Sequence, residues 1–212
     1  MQRKALIAGA SGLVGRELLA RLLDDPRYAA VHALVRRPLG MAHPRLVEQA
    51  VDFAELAGHI PAVDDTYCTL GTTLRAAGSR RAFEQVDVDH VIALARAARA
   101  AGARRFIVVS AVGSHPRALS FYARAKARME AGVSALDFDA VHILQPSLLL
   151  GARAEQRPAE ALGQRLAPWI GPLLRGPLRA YRPVAAARVA ERMIACAFAA
   201  DRGVQRHRLG DG

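Results

Sequence analysis

Lysine is almost missing from this chain: Lys4 and Lys126 are the only two among 30 basic residues, and the rest are arginine. Aromatic residues make up just 5% of the sequence, and no basic block is interleaved with them. The net charge of +11 therefore argues for arginine-rich coding bias rather than a nucleic-acid surface, which needs clustered cations and stacking platforms. Cysteine is equally sparse. Cys68 and Cys196 stand far apart and outside any Cys-x-x-Cys or Cys/His spacing, so both read as reduced thiols. The histidines show no metal-binding spacing either, and His142, within the sixth expected strand, reads as a satisfied core or edge residue rather than a ligand. No metal is expected. No apolar run approaches the roughly 20 residues that span a bilayer. Met1-Gln2-Arg3-Lys4 leads straight into a short apolar strand without a cleavage-type site, so the expectation is a cytoplasmic protein with no membrane attachment.

What is present is enough apolar material for one core: 52% of 212 residues are hydrophobic. Short apolar runs alternate with longer stretches of helical period, the pattern of an α/β protein with a parallel sheet. Strands are expected at Ala5 to Gly9, Val31 to Arg36, Leu46 to Val51, Thr66 to Thr69, Phe106 to Ser110 and Val141 to Leu144. Helices are expected near Leu13 to Leu23, Phe83 to Ala101 and Phe121 to Leu136. In the second of these, Val88, Val91, Ile92, Leu94 and Ala95 share one face. The reading is a single Rossmann-type domain over residues 1–212, a doubly wound parallel sheet with helices on both faces. Residues 1–150 form the dinucleotide-binding core. Beyond Gly151, Pro158, Pro168, Pro172, Pro177 and Pro183 break the chain into short pieces, which suits a cap over the substrate side and the final sheet and helix elements.

Gly9-Ala10-Ser11-Gly12-Leu13-Val14-Gly15 joins the first strand to the first helix. Glycines at that junction let the backbone approach a pyrophosphate, while the helix amides and dipole favour an anion. Ser11 adds a hydroxyl. The second strand ends in Val35-Arg36-Arg37-Pro38, about 20 residues past Gly15, where NAD-specific proteins place a carboxylate for the ribose hydroxyls. No acid is there. Arg36 and Arg37 can instead pair with a 2′-phosphate, which points to NADP (as NADPH).

Tyr122 and Lys126 lie four residues apart, hence on one face of a helix. A cation beside a phenol favours phenolate, so the pair can move a proton to or from a carbonyl or alcohol oxygen. Ser110, at the end of the fifth strand, can hydrogen-bond the same oxygen. That Lys126 is lysine in a chain of arginines sharpens the signal, since the two cations are not interchangeable.

Several further segments carry a family likeness: Cys68-Thr69-Leu70-Gly71-Thr72-Thr73, Phe106 to Ala111, Phe121-Tyr122 with Lys126, and Pro146-Ser147-Leu148-Leu149-Leu150-Gly151. With the glycine loop, they make the sequence resemble the atypical short-chain dehydrogenase/reductases, in particular the Tat-interacting-protein branch and its bacterial relatives. The resemblance runs through residues 1–150 and is loose beyond. It implies NADP in the crevice, with Asp52 and Phe53 near adenine, Cys68, Leu70 and Gly71 along the ribose and pyrophosphate, and Pro146, Ser147 and Leu148 near the nicotinamide. It also implies Ser110, Tyr122 and Lys126 as the catalytic trio acting on a small-molecule substrate, the same three residues also contacting the cofactor, and it leaves room for a homodimer or a protein partner. A regulatory protein that senses NADP(H) is the competing expectation. Three departures stand out: Asp87 where many relatives carry a catalytic Asn, Gln145 in place of an Arg before Pro146, and Arg188-Val189-Ala190 in place of Asp-Val-Ala.

Overall fold

The computed structural model describes residues 2–56, 58–147, 149, 150 and 183–210. Its centre is a seven-stranded sheet of order β3-β2-β1-β4-β5-β6-β9, every neighbouring pair parallel. The strands are β1 (Arg3–Ala8), β2 (Tyr28–Val35), β3 (Leu46–Ala50), β4 (Asp65–Cys68), β5 (Arg105–Val109), β6 (Ala140–Pro146) and β9 (Gly203–Leu209). A two-residue pair, β7 (Leu149–Leu150) with β8 (Val184–Ala185), stands apart. Between β1 and β4 the strand order reverses, which opens the crevice where doubly wound sheets take their ligands.

Side-chain alternation divides the core. Ala5, Ile7, Val31, Ala33, Tyr67, Ile107 and Leu144 face α1 (Leu13–Asp24) and α6 (Ala186–Ala197). Their sequence neighbours Leu6, Ala8, Leu34, Cys68, Phe106, Val108, Val141 and Ile143 face the helices on the other side. Those are α4 (His90–Ala100) and α5 (Phe121–Ser134), preceded by the short α2 (Leu74–Ala77) and α3 (Arg80–Glu84).

The helix expected over Phe83 to Ala101 is interrupted. Gln85–Asp89 forms a π-helical turn between α3 and α4. The extra residue in that turn lets Asp87 and Val88 both point inward, beside Phe83 and Val91. The other expected strands and helices occur with ends shifted by a few residues, whereas β7, β8, α6 and β9 had no assigned boundaries. The Pro-rich part of the expected cap, residues 151–182, lies outside the described residues.

Candidate active site

Gly9 follows β1 with φ at +89° and closes against the exit of β4. A Cβ on Gly9 would come within 2.7 Å of the Thr69 main chain. Thr69 holds the turn in place: its Oγ1 donates to the carbonyls of Ala8 (3.0 Å) and Gly9 (3.1 Å). The Gly9 carbonyl also accepts from Gly12 N at 2.9 Å. Gly15 lies so close beneath it that an added Cβ would sit 2.0 Å from that oxygen. Gly12 differs, because its Cβ would meet that oxygen alone, at 3.2 Å, and the residue is exposed.

The three glycines thus divide the work. Gly9 and Gly15 make the turn possible, and Gly12 leaves its outer side free. α1 starts without a side-chain cap and without an acid in its first turn, so its leading amides and positive dipole end are available to an anion. Val14 and Gly15 are buried and contribute packing and backbone, Leu13 is half-buried, and Ser11 is exposed with its carbonyl taken by Arg16 Nε at 3.0 Å. This cradle fits a dinucleotide pyrophosphate.

Arg36 and Arg37 leave the end of β2 exposed, with no hydrogen bond or ion pair to any described residue. Asp52 accepts from Ala54 N at 2.8 Å and shapes its own turn, while Phe53 is buried and stacks on His90 at 5.9 Å between centroids. Cys68 is fully buried, and burial pushes its thiol up to about 12, so only its main chain can serve a ligand. Leu70 is half-buried and Gly71 exposed. Pro146 closes β6 opposite Leu209, and Ser147 N donates to the Leu209 carbonyl at 3.2 Å. Leu148 lies outside the described residues.

The expected trio is split between Ser110, directly after β5, and α5, and their junction lies at the carboxyl ends of the strands, as does the glycine cradle. Ser120 caps α5, its hydroxyl accepting from Ala123 N. In the first turn, Tyr122 has 38% of its surface exposed and leans on Phe83 at 5.6 Å between ring centroids. A turn later Lys126 is 3% exposed, its Nζ 2.7 Å from Asp87 Oδ1. Asp87 Oδ2 accepts from Thr72 N at 2.7 Å, which ties the pair to the loop after β4. Burial alone would lower Lys126, but the Asp87 carboxylate and the Tyr122 phenol outweigh it and hold the ammonium above its ordinary range. The residue that departed from the family pattern is therefore the counter-charge of the buried lysine, delivered by the π turn.

Ser110 is buried and donates to Glu130 Oε1 at 2.6 Å. The same oxygen accepts from Gln145 Nε2 at 2.8 Å, and Glu130 Oε2 accepts from Arg206 Nε at 3.2 Å. Sequence reasoning missed Glu130. It lies on the Lys126 helix at i+4, a spacing that could have signalled it, but an acid among arginines on a helix ordinarily reads as a surface pair. Gln145, the second departure, belongs to this same network. Arg188, the third, is exposed in the first turn of α6, where nothing in the structure explains it.

This sheet order, the glycine cradle at the exit of β1 and the Ser110, Tyr122 and Lys126 set define a dinucleotide-binding protein of the atypical short-chain dehydrogenase/reductase class. The chain belongs to the NAD(P)H-binding family, which matches it over residues 9–167. It is similar to Protein HTATIP2 of Rattus norvegicus, 36% identical over 172 residues that cover 78% of this chain and 71% of the relative. It is similar also to Protein fmp52, mitochondrial, of Emericella nidulans, at 32% identity over 81% of this chain and 77% of the relative. Among solved structures, MoeE5 in complex with UDP-glucose and NAD superposes with a TM-score of 0.75 at 21% identity, covering 98% of this chain and 76% of that one. Human epimerase family protein SDR39U1 with NADPH gives 0.68 at 18% identity, over 97% and 74% of the two chains. Those two likenesses carry the fold. No helix among the described residues is long and apolar enough to cross a membrane.

Proposed function

We propose that the protein is an NADP-dependent oxidoreductase acting on a small carbonyl or alcohol substrate. The observation that carries this reading is the Tyr122 and Lys126 pair: a phenol open to solvent one helical turn before a buried lysine kept charged by Asp87. Cofactor binding by itself needs the cradle, and gives no reason to bury an ammonium beside a phenol. An NADP(H) sensor is therefore the weaker reading.

When bound, NADPH supplies a hydride to the substrate carbon. Tyr122 then gives its proton to the substrate oxygen, and Lys126 lowers the cost of the phenolate left behind. Ser110 has its own proton committed to Glu130, so its free lone pairs accept from the hydroxyl of the alcohol form and orient it. Arg36 and Arg37, unpaired at the end of β2, receive the 2′-phosphate.

The test is a screen of aldehydes, ketones and quinones against NADPH oxidation by the wild type and by Tyr122→Phe, which keeps the ring and removes the hydroxyl. The expected loss is roughly a hundredfold or more in rate, with NADPH affinity unchanged. Turnover that survives in Tyr122→Phe, or no turnover of any compound while NADPH still binds, overturns the reading.

A further inference from the structure

On the far side of the sheet from α5, three residues that share no sequence motif come together. His142 is on β6, His207 on the edge strand β9 and Cys196 in the last turn of α6. His142 Nδ1 is 3.1 Å from His207 Nε2, which is 3.6 Å from Cys196 Sγ, and one ligand atom from each residue lies within 4.8 Å of the others. A tetrahedral metal with bonds of about 2.0–2.1 Å to nitrogen and about 2.3 Å to sulfur puts its ligand atoms about 3.3 Å (N to N) and about 3.6 Å (N to S) apart. The two measured spacings match those edges.

Hydrogen bonding alone explains the cluster poorly. Arg192 Nη2 is 3.2 Å from His207 Nδ1, and a guanidinium can only donate. His207 Nδ1 therefore accepts, its proton sits on Nε2 and goes to His142 Nδ1, and the His142 proton is left on Nε2. That nitrogen is buried without a partner among the described residues, in a side chain with 0% exposure. The expectation of a satisfied core histidine thus holds for one ring nitrogen only. The His207 proton is thus given to His142, which leaves the buried Cys196 thiol with only the 3.6 Å approach to His207 Nε2, beyond an ordinary nitrogen–oxygen hydrogen bond and close to a ligand edge.

We infer that His142, Cys196 and His207 form a binding site for a borderline transition-metal ion of the Zn2+ type, with a fourth position open to water. Two imidazoles and one thiolate suit such an ion and disfavour Mg2+ or Ca2+, which take oxygen ligands. As the sulfur–metal bond forms, the Cys196 S–H bond breaks and the proton leaves to solvent. The His207 proton moves to Nδ1, so Arg192, which is exposed, must swing away. The half-buried His207 gives the ion its entrance from the sheet edge. Once in place, the ion clips β9 and the end of α6 to β6, on the face opposite the Tyr122 helix. Its role is structural and independent of the proposed reaction.

Titration of the full-length, metal-free protein with Co2+ tests this. The wild type should take up one Co2+ per chain with a thiolate-to-cobalt charge-transfer band in the near ultraviolet, and Zn2+ should displace it. Cys196→Ser should lose the band. His207→Gln, at the accessible edge, should keep the fold and weaken Co2+ at least tenfold, whereas Arg192→Ala should tighten it. A wild type without the band, a band that persists in Cys196→Ser, or unchanged affinity in His207→Gln overturns the site.

Discussion

An ammonium taken out of water is stable only if a counter-charge goes with it, and Lys126 and Asp87 meet that condition at 2.7 Å, with both side chains nearly inaccessible. Removing the partner should therefore hurt more than removing a surface ion pair. Asp87→Ala is expected to lower unfolding stability by about 3–5 kcal/mol. Asp87→Asn, which keeps an acceptor for Thr72 N but not the charge, should cost less, about 1–3 kcal/mol. Both are read from the denaturant midpoint at constant slope. The pH dependence follows from the direction of the Lys126 shift. Its folded value lies above the ordinary 10.5, so the stability it contributes is whole below pH 10.5 and is lost as pH rises through the folded value. Without the Asp87 charge, burial dominates and that folded value drops, so the lysine's share of the alkaline fall in stability should shrink or reverse in Asp87→Asn. An alkaline limb identical to the wild type would show that Asp87 does not set the lysine charge. At this scale the sequence offered Tyr122 and Lys126 by spacing and by the rarity of lysine. It could not offer their partner, because Asp87 faces Lys126 through a π turn that no periodicity announces, and Glu130 meets Ser110 only after β5 and α5 pack.

Helix α1 and the turn before it separate folding from binding within one glycine motif. Gly15→Ala places a methyl 2.0 Å from the Gly9 carbonyl and 2.9 Å from the Ala10 Cα, backbone atoms that cannot yield separately. The β1 to α1 turn should then open, and the thermal midpoint should fall with or without cofactor. Gly12→Ala meets only one oxygen, at 3.2 Å, in a backbone conformation open to any residue (φ −75°), and its methyl occupies the side left free for phosphate. It should keep the wild-type midpoint without cofactor and lose NADPH affinity at least tenfold, measured by fluorescence titration. Equal NADPH affinity in Gly12→Ala would place the pyrophosphate elsewhere. Elements were legible where one physical rule governed them: β1, β2, β5 and β6 are apolar because both faces are covered, and α5 carries a cap and a helical stripe. β9 was not, since an edge strand reading Gly203-Val204-Gln205-Arg206-His207-Arg208-Leu209 has few apolar residues to betray it. The interruption of the long middle helix was equally hidden, because Phe83, Val88, Val91 and Ala95 keep an apolar face on both sides of the extra residue.

The whole molecule couples its cofactor to its stability, because the cradle, the end of β2 and the loop after β4 meet at the carboxyl ends of the strands of a single sheet. The parallel, doubly wound character of the sheet was legible from alternating βα units. The Pro-rich segment 151–182 has no period to read, and it lies outside the described residues. A ligand that binds the native state alone raises stability by RT ln(1 + [L]/Kd). If Arg36 and Arg37 hold the 2′-phosphate, NADPH should bind at least tenfold more tightly than NADH, a difference of about 1.4 kcal/mol at equal, saturating concentrations. For a chain of this length that gap corresponds to about 3–6 °C in thermal midpoint. The charge on the arginines is the only thing that distinguishes the two cofactors in this account, so raising ionic strength should shrink the gap. The double variant Arg36→Ala, Arg37→Ala should bring the NADPH midpoint down to the NADH midpoint while leaving the latter within about 1 °C of wild type. Equal stabilisation of the wild type by the two cofactors would remove the 2′-phosphate from these arginines. A gap that survives the double variant would move the phosphate to another cation.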